Sequence, residues 1–444
     1  MNKKIREEML QDIVENKKRH EKEYKKIKEN VDQSSAYYHG HPVNFLYHTI
    51  LVDQDNVSMI KDKLHKLNQI LKEVTARYLE DPEFRSFFRF PKLMEELILI
   101  DPGYEIEYPV ARFDFFNPYQ EDNFKFCELN TDGTSAMNEV RVLQRDFSDS
   151  PLITDLETDY NFNGFELFHS LIDDILANYR QYCGKDEINP NIAIVDFEGD
   201  GTINEFKEFK KRFEERGYKT VICDPREMEY TAGELYYNDM KIDLIYRRAT
   251  TNRVVEEGDK IDGFLQAYRD GAVCVVGGFR SQIPHNKIIF SILHDRDKVD
   301  FLSERQHQFI EQHIPWTAVF DSSDKELIDK LKQNKDDYLL KPTDLNAGQG
   351  VYIGRDHSGK EWEEILFNLE DDHYLAQEFI EVPQLEMPVY EEGELRIDNF
   401  NYIMGIFQYN QELAGLYCRA GRENIIAPTG ESFTVPVFTI EDRD

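Results

Sequence analysis

The chain has 444 residues, with 53 Lys or Arg against 86 Asp or Glu, a formal charge of −33 at pH 7. Its 40% hydrophobic and 13% aromatic content is that of a folded protein with a large core, because disordered chains lack the apolar side chains that offset chain entropy. A field of this sign repels phosphate backbones and anionic lipid surfaces and attracts small cations, which argues against nucleic-acid and membrane partners. No run of about 18 apolar residues is present, and the opening stretch Met1–Glu8 is charged. The five cysteines (Cys127, Cys183, Cys223, Cys274, Cys418) form no CxxC pair. The expected compartment is therefore the cytoplasm, with neither a zinc site nor a disulfide framework.

Residues 3–31 are charge-dense, and Ile5, Met9 and Ile13 mark one narrow helical stripe. Lys17-Lys18-Arg19 reads as a solvated face of that helix. A second helix runs from about Val57 to Tyr78, where Ile60, Leu64, Leu67, Leu71, Val74 and Tyr78 recur at three and four residues. Asp81-Pro82 ends it. The pattern then changes to strands at Val110–Phe116 and Phe124–Asn130, joined as a hairpin across the turn-rich Asn117–Asn123. Residues 138–185 read as helical again. From Asn191 the short apolar runs Ile192–Asp196, Lys219–Cys223, Ile242–Tyr246 and Ala272–Val276 alternate with helical stretches such as Asn204–Arg216, which predicts a parallel α/β layer of about 95 residues. Beyond it a helix over Ile288–Phe309, a strand at Tyr338–Lys341, a glycine-bearing loop and further strands are expected.

Several constellations carry chemistry. Strand residues two apart share a face, so Arg112 and Asp114 point together, with Phe113 and Phe115 opposite. On the second strand Glu128 and Asn130 share a face, with Cys127 and Leu129 opposite. Pairing the strands collects an arginine, two carboxylates and an amide, the sparse oxygen set that magnesium takes beside phosphates; the same face also reads as an exposed salt bridge. Leu340-Lys341-Pro342 precedes a loop with Gly348 and Gly350. A lysine and two glycines suit a phosphate cover, or simply a hairpin loop. It is not a Walker A loop, because the lysine precedes the glycines. Tyr374–Pro383, with Gln377, Glu378 and Ile380, reads alone as an ordinary edge strand and otherwise as an adenine-facing edge. Lys287 at a helix start and Arg419 on a late strand read as surface cations or as oxyanion ligands. No GxSxG, kinase, HExxH or GxGxxG signature is present.

Taken together these pieces resemble the synthetase domain of glutathionylspermidine synthase and its circularly permuted ATP-grasp relatives. Arg112-Phe-Asp114 is similar to the family's R-x-D strand, and Glu128-Leu-Asn130, with Asp132 following, to its E-x-N strand. Ile242–Arg248 looks like a strand of the pre-ATP-grasp domain, Asn286-Lys287 like the N-K helix start, and Leu340-Lys-Pro342 like the strand of the second ATP lysine. Tyr374–Gln377 and Cys418-Arg419 fit the later adenine-side strand and the terminal arginine. The resemblance covers residues 100–444. Two departures are that Gly133-Thr134 stand where the family usually has a proline, and that Asn346–Gly350 is not the common loop wording.

The resemblance implies an α/β fold of mixed α+β character: a circularly permuted ATP-grasp with a pre-ATP-grasp α/β domain and a helical N-terminal region. The expected parts are 1–100 (helical), 101–190 (metal-site part), 191–285 (pre-ATP-grasp) and 286–444 (ATP-binding part). It implies magnesium on Asp114, Glu128 and Asn130. Arg112 would act at the reacting phosphoryl and acyl centre. ATP would lie on Lys287, Lys341, Gly348, Gly350, Gln377, Glu378, Ile380 and Arg419. The implied activity is ATP-dependent ligation of a small-molecule or peptide carboxylate to an amine, a polyamine among the candidates, through an acyl phosphate. No amidase half is expected within 444 residues. The other reading is an ATP-binding regulatory or scaffold module that forms no amide bond. Oligomeric state is not legible.

Overall fold

The computed structural model describes residues 3–38, 40–345, 348–369, 373–426 and 431–443. The N-terminal stretch forms two helices instead of one: α1 (Lys3–Glu15) buries Ile5, Met9 and Ile13, and α2 (Lys17–Asp32) buries His20, Ile27 and Val31. Asn16 divides them, because its φ of −111° and ψ of 32° leave the helical well and its amide turns back to Asp12 at 2.6 Å. The basic run is not simply solvated, since Lys17 pairs with Glu394 and Arg19 with Asp155. Strand β1 (Ile50–Asp53) leads into α3 (Gln54–Glu80). Asp53 caps α3 by accepting the Asn56 N–H, and Asp81-Pro82 ends it as the sequence predicts.

Strands β2 (Val110–Phe116) and β3 (Lys125–Asn130) form the predicted antiparallel hairpin. The next stretch is not continuously helical. Helices α4 (Met137–Ser148) and α5 (His169–Cys183) flank a strand at Tyr160–Asn163, whose Tyr-Asn-Phe-Asn alternation half-buries every second residue. The α/β layer follows: β4 (Ile192–Val195), α6 (Ile203–Glu215), β5 (Thr220–Cys223), β6 (Leu244–Arg247) and β7 (Cys274–Val276). Its strands lie in the order β7-β6-β4-β5, all parallel. An antiparallel meander over Met228–Ile242 interrupts it, so the expected strand Ile242–Tyr246 is divided at Asp243.

The expected helix over Ile288–Phe309 is also two, α7 (Ile288–His294) and α8 (Glu304–His313), because Ser303 and Gln306 form a capping box that starts the second. A four-stranded sheet follows, built from β8 (Thr317–Val319), β9 (Tyr338–Pro342), β10 (Tyr352–Ile353) and β11 (Tyr374–Glu378) in the order β8-β11-β9-β10. The Tyr374 strand is therefore flanked on both sides and is not an edge. The last strands are β12 (Gln384–Glu391), β13 (Glu394–Tyr409), β14 (Glu412–Gly421), β15 (Ser432–Thr434) and β16 (Val437–Asp442). The 16-residue β13 pairs with β12 through its first half and with β2 through its second. The sheet thus runs β15-β14-β13-β2-β3, carrying the early hairpin on late strands. Strand β16 lies between β1, parallel, and Tyr160–Asn163.

Candidate active site

The hairpin register sets Arg112 opposite Asn130 and Asp114 opposite Glu128. Phe113, Phe115, Phe126 and Leu129 fill the core face, each at most 1% exposed. The register slips after Asp114, so that Phe115 pairs with Phe126 and Cys127 is an extra residue. This bulge changes one expectation: Cys127 does not point away with Leu129 but lines the same cavity as Glu128.

On the polar face the side chains bond one another. Arg112 Nε and Nη2 donate to the two oxygens of Asp114 at 2.7 and 3.2 Å, and Arg112 Nη1 reaches the Ser135 carbonyl at 3.2 Å. Arg419 Nη2 donates to Asp114 Oδ2 at 3.2 Å from β14. Asn130 Nδ2 lies 3.3 Å from both Asp114 Oδ2 and Glu128 Oε2, so one amide bridges both carboxylates. Lys287 Nζ pairs with Glu128 Oε1 at 2.9 Å and donates to the Leu345 carbonyl at 2.9 Å. Lys341 extends from β9 until its Nζ is 3.5 Å from the Cys127 carbonyl and 5.0 Å from the Phe290 ring centre. Both lysines are under 10% exposed.

These groups set each other's charge. Burial pushes the Glu128 carboxyl up, but the charge and hydrogen bond of Lys287, with Lys341 and Asn130 behind them, hold it well below the usual carboxylate range. Burial, then repulsion from Lys287, pulls the Lys341 ammonium down to about 8, against the attraction of Glu128. An anion between the two lysines would relieve that repulsion.

The cavity over this cluster has a volume of about 830 Å³. Of the residues singled out from the sequence, Arg112, Asp114, Glu128, Asn130, Lys287, Lys341, Gly348, Gln377, Glu378, Ile380 and Arg419 all line it. Gly350 does not; at φ 70° it packs where a Cβ would stand 2.9 Å from Pro342 Cγ. Gly348 is also left-handed, at φ 71°. Asn346 and Ala347 of the same loop lie outside the described residues. Gln377 Nε2 donates to Thr317 Oγ1 at 2.8 Å, so β8 fixes its orientation. Asp132 is buried on Arg247 at 2.7 Å and on the Thr251 N–H at 2.6 Å, tying the end of the hairpin to the α/β layer.

Sequence reasoning did not find three contributors. Gly405 on β13 stands opposite Asp114, and a Cβ there would lie 2.9 Å from both Arg112 Cδ and Asp114 Oδ1. Tyr417 lies under the Arg112 guanidinium at 5.2 Å and near that of Arg419 at 5.9 Å. Glu139 holds the Tyr417 hydroxyl. None has a local signal, because each is defined by a partner far away in the chain.

Among the described residues no three His, Cys, Asp or Glu side chains form a metal-binding group. The hairpin instead offers two carboxylates and one amide, hard oxygen ligands of the number magnesium uses when phosphates and waters complete its shell. The two carboxylates already converge on Asn130, and turning that amide over presents its oxygen to them both.

No family model matches the sequence. Over 152 residues the chain is 29% identical to the ATP-grasp enzyme ankG of Aspergillus thermomutatus, a stretch covering 31% of this chain and 30% of that relative. The chain thus spans about a third of the curated relative it matches. Its fold is shared with the apo form of a glutathione synthetase-like effector, GSS30, from Globodera pallida. That alignment has a TM-score of 0.56 and 12% identity, and covers 89% of this chain and 90% of that one. Among the described residues no helix is long and apolar enough to cross a membrane.

Proposed function

We propose that the protein is an ATP- and magnesium-dependent carboxylate–amine ligase of the circularly permuted ATP-grasp kind, similar to the synthetase domain of glutathionylspermidine synthase. The observation that carries this reading is the meeting, in one cavity, of Asp114, Glu128 and Asn130 with Lys287 and Lys341. The chain order adds support: the carboxylate hairpin precedes the lysine strand β9 yet is held by β13, which follows it. So do the stretch shared with an ATP-grasp enzyme and the fold shared with a glutathione synthetase-like protein. The five free cysteines suit a reducing compartment, the cytoplasm.

In this reading Lys287 and Lys341 hold the ATP phosphates and the loop at Gly348 covers them. The backbone from Gln377 to Ile380 lines the adenine. Asp114, Glu128 and Asn130 hold magnesium, which when bound neutralises charge on the transferring phosphoryl group. A substrate carboxylate oxygen attacks the γ-phosphorus, ADP leaves, and an acyl phosphate results. An amine then attacks the acyl carbon and phosphate leaves from the amide product. Arg112 faces the charge that develops on the phosphoryl and then the acyl oxygens. Arg419 keeps its buried Nε without a hydrogen-bond partner among the described residues, a spare donor for an acid substrate or a phosphate. The acid is a small molecule or peptide, and the amine includes polyamines among its candidates.

The test is magnesium-dependent ADP release with pooled peptides and amino acids as acids and polyamines and alkylamines as acceptors. Release is expected to need both pools. Arg112→Lys keeps the charge but loses the two-pronged grip, and is expected to slow release by about 10²-fold with ATP binding unchanged. Measurable ATP binding with no ADP from any acid–amine pair would favour a nucleotide-binding module instead. A stable phosphorylated product with no amide would make the protein a kinase.

A further inference from the structure

The same cavity is lined by Tyr38, Ser135, Asn138, Glu139 and Thr434, which the nucleotide and the metal leave unused. Among the described residues six carboxylates face it, and most are spoken for. Asp114 is bound by Arg112 and Arg419, Glu128 by Lys287, Asp132 by Arg247, and Glu205 by Arg248. Glu378, at the Gln377 end, accepts the Trp316 N–H at 3.2 Å. Glu139 carries no ion pair among the described residues. One of its oxygens accepts the Thr434 hydroxyl at 2.7 Å and the other the Tyr417 hydroxyl at 3.3 Å. A carboxylate has about four acceptor positions, so each oxygen retains one that no hydrogen bond among the described residues fills. The ring of Tyr417 is the spacer, with its hydroxyl on Glu139 and its face under Arg112 at 5.2 Å. Glu139 therefore stands one phenol ring from the arginine assigned to the acyl centre. Burial pushes its carboxyl up, and Thr434, Arg419 and Arg112 draw it back while Glu205 pushes further.

We propose that Glu139 is the proton acceptor for the attacking amine, which makes the chamber beside Tyr417 the amine subsite. The proposal rests on the ligase reading above. The neutral amine nitrogen forms a bond to the acyl carbon, and the carbonyl electron pair moves to oxygen beside Arg112. The nitrogen, now cationic, gives one proton to the free position on Glu139. The carbonyl then re-forms, the bond to phosphate breaks with its electron pair leaving on phosphate, and Glu139 later returns the proton to that anion. Without an acceptor the cationic adduct expels the amine instead of phosphate.

The test compares two nucleophiles in the wild type and in Glu139→Gln, which keeps the side chain's size and one acceptor oxygen, while the second hydroxyl must turn to accept from the new amide N–H. Hydroxylamine traps an acyl phosphate as a hydroxamate, and its adduct is acidic enough to lose its proton to water. Alkylamines and spermidine give adducts that need a protein base. With the pooled acids as donors, Glu139→Gln is expected to form hydroxamate within about threefold of wild type and amide at least about 10²-fold more slowly, the usual range for losing a general base. Amide formation near the wild-type rate overturns the assignment. Loss of hydroxamate and amide in parallel overturns it too, because Glu139 then serves acid activation or the fold. A wild-type protein that binds ATP but yields neither hydroxamate nor ADP with any acid refutes the ligase reading itself, a different readout.

Discussion

Asp196, at the end of β4, shows how a buried charge is decided by partners already committed elsewhere. Burial pushes its carboxyl up to about 6, and attraction to Arg248 is too weak to reverse this. Arg248 spends its hydrogen bonds on Glu205 at 3.1 Å and the Tyr246 hydroxyl at 2.8 Å. The folded state therefore holds a proton here that the unfolded chain, with an ordinary aspartate near 3.9, has released. The stability this group contributes is fully present below its unfolded pKa and is lost as pH rises through about 6. Asp196→Asn should then stabilise the protein at pH 7.5 by up to about 3 kcal/mol and change little at pH 4. Urea melts at the two pH values measure it; an equal effect at both would mean that the charge is not responsible. At this scale the catalytic candidates were readable, because strand alternation alone puts Arg112 with Asp114 and Glu128 with Asn130. Glu139, Tyr417 and Gly405 were not, since what distinguishes each is a neighbour hundreds of residues away.

Among the elements, β13 does most to shape the site, and Gly405 is where it does so. The strand runs directly beside β2, and the Arg112–Asp114 pair lies flat across the glycine. Gly405→Ala would push a methyl to within 2.9 Å of both side chains. Overpacking of this kind costs about 1–3 kcal/mol, and the pair is the part that must move. The expected outcome is at least a tenfold loss of ADP release with only a modest fall in the urea midpoint. Unchanged release would show that the pair's placement is not critical. The helix breaks have a similar origin. Periodicity found the apolar stripes but not the breaks at Asn16 and at Ser303, which depend on a single side chain turning back to the backbone or to its neighbour. The bulge at Cys127 likewise leaves no trace in the alternation, because it appears only when two strands pair.

At the level of the whole molecule, the charge of −33 opposes an anionic nucleotide, while Lys287, Lys341, Arg112 and Arg419 form a small cationic island within it. Salt screens the distant charges more than the contact pairs. Raising NaCl from about 20 to 200 mM should therefore lower the KM for ATP severalfold and raise the KM for a cationic amine. Steady-state ADP release across that series measures both, and a KM for ATP that climbs with salt would show the local island outweighing the global field. The late strand β16 pairs in parallel with the early strand β1, which leads into α3. By itself the sequence determined the hairpin with its polar and aromatic faces, the parallel α/β run, the lysine before the glycine loop and the sign of the field, because each is written in spacing of a few residues or in composition. Only the tertiary structure decided that these pieces share one cavity, that β13 carries the early hairpin, and that Glu139 is left with free acceptor positions beside Tyr417. Those are properties of contacts between distant segments, and they exist only once packing has chosen which strand lies beside which.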